Sequence, residues 1–395
     1  MNMRKNENML ENTRIDYGII LSIFILFVVS MISLYATSVI INGSSLQPVF
    51  MHLVWYVFGA LCIVVIMQID SKLLWKLVPL GYGAALILLV AVLFLYDKTT
   101  AANFGARSWF VIGPLSFQPS EFSKIALILM LARLVTMHNL MYRKKKNLTT
   151  DLQLLLKIAA FSIPVLILVI LENDLGTTLV LLAIVCGVVL MSGISAKILV
   201  PLFAFMMLFS GLILYLAIYH REFLEMLGVK SYQFTRIDAW LKPFDSTTDG
   251  SYQVSNAILA IATGGMFGKG IGVSNLHVPV RESDMIFSTI GENTGFIGTF
   301  FVILVYFTLI YQMIKTCFDT KNEFYTYICV GVISMITFHI FENVGMNVGL
   351  LPLTGIPLPF ISQGGSALSV NMIGVGLILA MRYQSQSYQK MHYIK

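Results

Sequence analysis

Residues 18–40 read GIILSIFILFVVSMISLYATSVI, an apolar run without a charged side chain. A hydrocarbon core about 30 Å thick takes roughly 20 helical residues to cross, so this stretch is long enough to span a bilayer. Further long apolar runs, several with an isolated ionisable residue, fall near 51–68, 74–95, 119–137, 153–171, 175–194, 197–219, 284–312, 324–349 and 365–381. They are unbroken Leu, Ile, Val, Met and Phe, whereas a membrane barrel needs short alternating strands. The expected fold class is all-α, a polytopic membrane protein with about ten transmembrane helices. Composition agrees: 12% of the 395 residues are charged, against about 25% in a soluble domain. The first run exceeds a signal-peptide core and lacks a small-residue cleavage site, so it reads as a retained span.

Short loops keep their Lys and Arg on the cytosolic side. Arg4, Lys5 and Arg14 precede the first span, and Arg143, Lys144, Lys145 and Lys146 follow the fourth. Lys197, Lys315, Lys321, Arg382, Lys390 and Lys395 fall on the same side, which makes both termini cytosolic. The opposing short loops carry little beyond Lys98 and Arg107. The net charge of +6 is thus mostly topological, and points to anionic lipid rather than nucleic acid. Cys62, Cys186, Cys317 and Cys329 lie in spans or at their cytosolic edges and suggest neither a disulfide framework nor a metal site.

Residues 1–395 read as a single membrane domain with one large extracytoplasmic loop, 220–283, between spans 7 and 8. Loops of that length usually carry function. It holds Arg221, Arg236, Asp238, Trp240, Lys242, Asp245, Asp249, Lys269 and Arg281, and Tyr252 to Thr263 reads as a short helix ending at Gly264-Gly265. Smaller outer loops cover 96–118 and the Pro- and Gly-rich 350–364. No internal repeat is evident, which disfavours an inverted-repeat transporter.

Ionisable groups within spans are costly and default to functional candidates. Glu121 and Lys124 stand at helical i,i+3 spacing where Pro119 and Ser120 suit a helix start. They read equally as a structural pair and as a substrate site. Asp174 occupies a tight turn, where a helix cap competes with a functional role. Asp284 opens span 8 directly after the long loop, and again a cap is one reading. Asp284, Ser288, Gly291 and Gly295 share one helical face, and the two glycines let another helix approach. Glu292 reads as a maker of buried hydrogen bonds, and Glu342 is a further acid within a span.

A carboxylate at the outer interface with cations nearby suits chemistry on a lipid-linked phosphate. In sugar transfer from a lipid pyrophosphate, a base takes the proton of the acceptor hydroxyl as it attacks the anomeric carbon. The leaving pyrophosphate is neutralised by Arg, Lys or a metal. One carboxylate suffices for a single inverting displacement. Asp284 is placed for the base role, with Arg107, Lys124 and Lys269 as candidate counter-charges. The acidic residues permit a divalent cation, but no ligand spacing demands one.

At these residues the chain resembles the SEDS family (shape, elongation, division and sporulation), whose members include RodA and FtsW. The motifs are Gly105-Ala106-Arg107-Ser108-Trp109, Phe117-Gln118-Pro119-Ser120-Glu121-Phe122-Ser123-Lys124, Asp174-Leu175-Gly176-Thr177 and Tyr252-Gln253. They continue through Gly264-Gly265-Met266-Phe267-Gly268-Lys269-Gly270, Ser283-Asp284-Met285-Ile286-Phe287, Asn343-Val344-Gly345-Met346, Thr354-Gly355-Ile356-Pro357-Leu358-Pro359 and Ser362-Gln363-Gly364-Gly365-Ser366. Together they run in family order across nearly the whole chain, and the short tails suggest a RodA-like member. The resemblance implies a ten-span peptidoglycan glycosyltransferase of the bacterial cytoplasmic membrane. Such an enzyme polymerises lipid II outside that membrane, displaces undecaprenyl pyrophosphate, and works with a class B penicillin-binding protein as transpeptidase in elongation or division. It places the essential aspartate at Asp284 and Asp174 in the same cavity; with Asp174, the residues Arg107, Glu121, Lys124, Lys269 and Ser362 are the substrate-binding candidates of this sequence.

Five positions depart from the family pattern. Glu172-Asn173 stands for Gln-Pro, Val280 for Glu, Met285 for Phe and Gln363 for Tyr. Two other readings are a lipid II flippase and a noncatalytic scaffold of a wall-synthesis complex. A flippase needs a continuous polar path, whereas the named ionisable groups cluster at the outer edge.

Overall fold

The structure is a computed structural model that describes residues 16–42, 45–99, 105–113, 115–143, 146–226, 228, 231–245, 249–320 and 322–393. Arg4, Lys5, Arg14, Lys144, Lys145, Lys321 and Lys395, and the side chain of Lys390, lie outside the described residues. The helices α1 (Tyr17–Asn42), α2 (Gln47–Gln68) and α3 (Ser71–Leu95) come first. A small antiparallel hairpin follows, β1 (Phe110–Ile112) and β2 (Leu115–Phe117), pairing Phe110 with Phe117. Then come α4 (Pro119–Tyr142), α5 (Leu148–Leu171), α6 (Leu175–Met191) and α7 (Ala196–Tyr219). The long loop holds α8 (Arg221–Met226), α9 (Ser231–Leu241) and α10 (Asp249–Gly264), and the chain ends with α11 (Ile286–Phe318), α12 (Glu323–Asn347) and α13 (Gly365–Tyr393).

Among the described residues nine helices are long and apolar enough to cross a membrane. The tenth apolar helix, α6, has 17 residues, about 25 Å at helical rise. It is shortened by the Asp174 turn at one end and the Ser192-Gly193 turn at the other. The chain is therefore an all-helical multi-pass membrane protein. Large apolar side chains such as Met207, Leu208, Phe307 and Phe318 stand exposed around the bundle. A soluble monomer avoids such a belt, and a lipid-facing one requires it.

The helices pack around a mainly apolar interior. Helices α4, α6, α11, α12 and α13 form the centre, with α12 packed on α4 and α6, α13 on α2, and α11 on α1. Their buried faces carry Leu127, Leu131, Leu181, Ile184, Leu309, Ile328 and Ile378. Helix α7 buries almost nothing, Ala217 excepted. Caps fix where the helices begin: Asn147 and Thr150 form a capping box on α5, and Asn322 Oδ1 accepts from Phe324 N on α12. At that same end of the bundle Asp16 pairs with Arg382 and accepts from Thr316 Oγ1 at 3.1 Å, tying α1 to α13 and α11.

The long loop is folded onto this frame. The apolar side of α10, Val254, Ala257 and Ala260, packs with Val278, Met285, Met346 and Leu353. Glycine makes the contact possible: a Cβ on Gly264 would lie 2.0 Å from Gly291 O. Gly295 leaves the helical region at φ 67, ψ −161, and kinks α11 against Met266 and Gly268. The close approach expected at Gly291 and Gly295 is thus made by α10 and the turn after it.

Candidate active site

Asp284 sits in the turn that delivers the long loop into α11. The helix starts two residues later, with Met285 at the N-cap position and no side-chain cap, so Asp284 does not serve as a helix cap. Its carboxylate instead accepts from Ser283 Oγ at 2.9 Å. Its carbonyl is held by two side chains of α12, Asn343 Nδ2 at 2.8 Å and Asn347 Nδ2 at 3.0 Å. Asn343 Nδ2 also donates to Ile356 O at 2.8 Å, and Asn347 Oδ1 accepts from Ser288 N at 3.2 Å. Ser362 Oγ donates to Ser283 O at 2.7 Å, and Gln363 N to Glu282 O at 2.9 Å. The backbone on either side of the carboxylate is therefore clamped from α12 and from the 350–364 loop.

Val280, where the family pattern has Glu, lies at φ 52, a left-handed conformation rarely adopted by a β-branched residue. Its carbonyl accepts from Ser283 N and Met285 N, so the strained turn aims the segment that carries Asp284. A Cβ on Gly355 would stand 3.3 Å from Asp284 Oδ2, so the glycine leaves room beside the carboxylate. Burial pushes the Asp284 carboxyl up to about 6, with Glu282 and Asp174 adding to the rise and Ser283 and Arg236 opposing it.

Asp174 is both a cap and a hub. Oδ1 accepts from Thr177 N at 2.9 Å, while Oδ2 accepts from Thr177 Oγ1 at 2.8 Å, Gln118 Nε2 at 2.7 Å and Ser120 Oγ at 3.5 Å. Gln118 N donates to Ser366 Oγ, so the starts of α4, α6 and α13 converge on this carboxylate. Two residues earlier, Glu172 is fully buried and neither carboxylate oxygen has a partner among the described residues. Burial, and then the Asp174 charge, push it up to about 9. Its carbonyl accepts from Arg107 N at 2.8 Å, and the exposed Arg107 guanidinium lies over the Tyr96 ring at 5.3 Å.

The other candidate cations are differently placed. Lys124 is fully buried, 2.7 Å from Glu121 Oε1 and 3.2 Å from His339 Nε2. Lys269 pairs with Glu292 at 2.9 Å; Glu292 also receives Ser274 Oγ at 2.8 Å and the buried Arg281 at 2.9 Å. Glu292 thereby pins the end of the long loop to the interior of α11. Ser362 is buried and its hydroxyl is used by backbone groups. Sequence reasoning passed over Arg236, which α9 brings within electrostatic reach of Asp284 and whose Nη1 donates to Thr354 O at 3.4 Å. It also passed over Asn347 and His339. The i,i+4 spacing of Asn343 and Asn347 was the available signal for a shared clamp. Among the described residues no group of three or more His, Cys, Asp or Glu is arranged to hold a metal.

The family of cell cycle proteins that comprises FtsW, RodA and SpoVE matches residues 14–387. The chain belongs to this family. It is 30% identical over 291 residues to stage V sporulation protein E of Bacillus subtilis (strain 168), covering 73% of this chain and 74% of the relative. It is 31% identical over 325 residues to a probable peptidoglycan glycosyltransferase FtsW of Taylorella equigenitalis (strain MCE9), covering 80% and 81%. Among solved structures, a chain of a peptidoglycan synthase complex that coordinates polymerization and crosslinking is similar at TM-score 0.75 and 25% identity, over 94% of this chain and 98% of that one. The rod shape determining protein RodA of Thermus thermophilus is similar at TM-score 0.66 and 25% identity, over 93% and 96%. The relatives carry sporulation, peptidoglycan glycosyltransferase and rod-shape names alike, so membership is in the family as a whole.

Proposed function

We propose that this protein is a peptidoglycan glycosyltransferase that polymerises lipid II into glycan strands on the outer face of the cytoplasmic membrane. Family membership supports the activity, and the observation that carries the mechanism is the setting of Asp284. Its backbone is fixed from two sides and its carboxyl is tuned to about 6. A general base works best with a pKa near the operating pH.

Asp284 accepts the proton of the acceptor sugar hydroxyl as that oxygen attacks the anomeric carbon of the lipid-linked donor. The bond to undecaprenyl pyrophosphate breaks with inversion. Arg107 and Arg236 are the cations presented to that leaving group, because Lys124 and Lys269 are committed to Glu121 and Glu292. Asp174 holds the cavity wall, and the buried Glu121–Lys124 pair, Ser362 and the Lys269–Glu292 pair position the elements around it. Residues 220–283 form the extracytoplasmic loop of a single domain, with both termini cytosolic. The partner is a class B penicillin-binding protein that crosslinks the strands, consistent with the similar chain from a peptidoglycan synthase complex.

The test is lipid II polymerisation by purified protein, with and without a class B partner, comparing wild type with Asp284→Asn. Glycan strands from wild type and none from a folded mutant that still binds lipid II are expected. Equal polymer from both removes Asp284 from the chemistry. Polymer from neither, with lipid II crossing liposomes, moves the assignment to transport.

A further inference from the structure

At the end of the bundle opposite Asp284, the last turns of α4 meet the turn after α6 and the start of α12. A cavity of about 170 Å³ opens there, lined by His138, Asn139, Tyr142, Arg143, Lys146 and Glu323. One wall is fixed, because Asn139 Nδ2 donates to Tyr327 Oη at 2.8 Å and to Ser192 O at 3.3 Å. Lys146 is set over Gly193, where a Cβ would lie 2.9 Å from its Nζ. Gly193 turns the chain at φ 79, so the lysine is seated by a backbone turn with no side chain.

His138 is 4% exposed and lies beside the start of α5, hydrogen-bonded to the Thr150 backbone, so it forms part of the wall. Arg143 and Lys146 are exposed and join none of the ion pairs among the described residues. Two cations that join no ion pair among the described residues thus line a cavity with room for a phosphate group and what is attached to it.

We propose that this cavity binds the phosphate group of a phospholipid headgroup. Basic pockets between spans at a membrane surface take such headgroups, and phosphate is the charge that Arg and Lys hold best there. The position supports the lipid as the source, since the cavity lies at the ends of spanning helices, at the depth of the headgroups. Glu323 supports it too. A carboxylate repels a free phosphate, but accepts from the hydroxyl or ammonium that a headgroup carries beyond its phosphate.

Native mass spectrometry of the full chain, delipidated in detergent, tests this with three probes: phosphatidylglycerol, diacylglycerol with the same acyl chains, and inorganic phosphate. Wild type is expected to retain one phosphatidylglycerol at least ~10-fold more tightly than diacylglycerol, the ratio of one charge-assisted contact set. The Arg143→Gln/Lys146→Gln double variant is expected to lose that preference while keeping its melting temperature without lipid. Should the double variant fail to fold, Arg143→Gln alone supplies the same reading. Equal retention of phosphatidylglycerol by wild type and variant, or of both lipids by wild type, overturns the site. Inorganic phosphate that fills it as tightly as phosphatidylglycerol overturns the lipid as its source.

Discussion

Asn343 Nδ2 lies 2.8 Å from the carbonyl oxygen of Asp284, two residues ahead of the helix that Asp284 introduces. The carboxylate proposed as base is therefore aimed by its backbone, from another helix. Asn343→Ala removes this bond and the one to Ile356 O, leaving the Asp284 carbonyl held by Asn347 Nδ2 alone and Ile356 O to find another partner. Displacement of a reacting group by about 1 Å costs on the order of 100-fold in rate, and a lost buried hydrogen bond about 1–3 kcal/mol. Glycan synthesis is expected to fall by about that factor with lipid II binding retained, read from polymer yield and binding in parallel.

The acid limb of the rate profile is expected near pH 6, because the base must be ionised and burial raises Asp284 to about 6. Arg236 opposes that rise, so Arg236→Gln moves the limb to higher pH. Asp174 adds to it, so Asp174→Asn moves the limb to lower pH. Single-turnover rates across pH 5 to 8 check both signs; unchanged limbs in both variants exclude Asp284 as the titrating group.

Asp174→Ala is expected to destabilise the fold as well. It removes the cap on α6, about 1 kcal/mol, and leaves Gln118 Nε2 without its acceptor, about 1–3 kcal/mol more. Asp174→Asn keeps an oxygen for Thr177 N, so its melting temperature is expected to fall less than that of the alanine variant.

Glu172 binds a proton more tightly folded than unfolded, since its carboxyl is raised to about 9 by burial and then by Asp174. The unfolded chain ionises near the ordinary glutamate value. Stability is therefore lost as pH rises from there towards about 9. Glu172→Gln, equal in shape and neutral, is expected to raise the melting temperature at pH 8 and change it little at pH 4.

Gly264→Ala places a Cβ where Gly291 O stands. Helix α10 must then withdraw from α11, and overpacking of this kind costs about 1–3 kcal/mol. A lowered melting temperature together with faster proteolysis of the long loop is the expected outcome; an unchanged one shows that α10 is not held there.

The sequence alone determined the helical spans and the short helix inside the long loop, because crossing hydrocarbon demands long apolar runs and closed backbone hydrogen bonding. It also singled out Asp284 and Asp174, since carboxylates at a membrane edge are costly enough to stand out. Tertiary structure decided what each charge is for. Lys124 meets His339 from a helix 215 positions away, and Lys269 meets Glu292 across the loop. Arg236 reaches the site from α9, and Asn347 reaches the Asp284 carbonyl from α12. Spacing along a chain fixes which face a side chain shares. Which distant group it neutralises is set by how the helices pack, and at these distances that pairing separates a counter-charge for substrate from a brace for the fold.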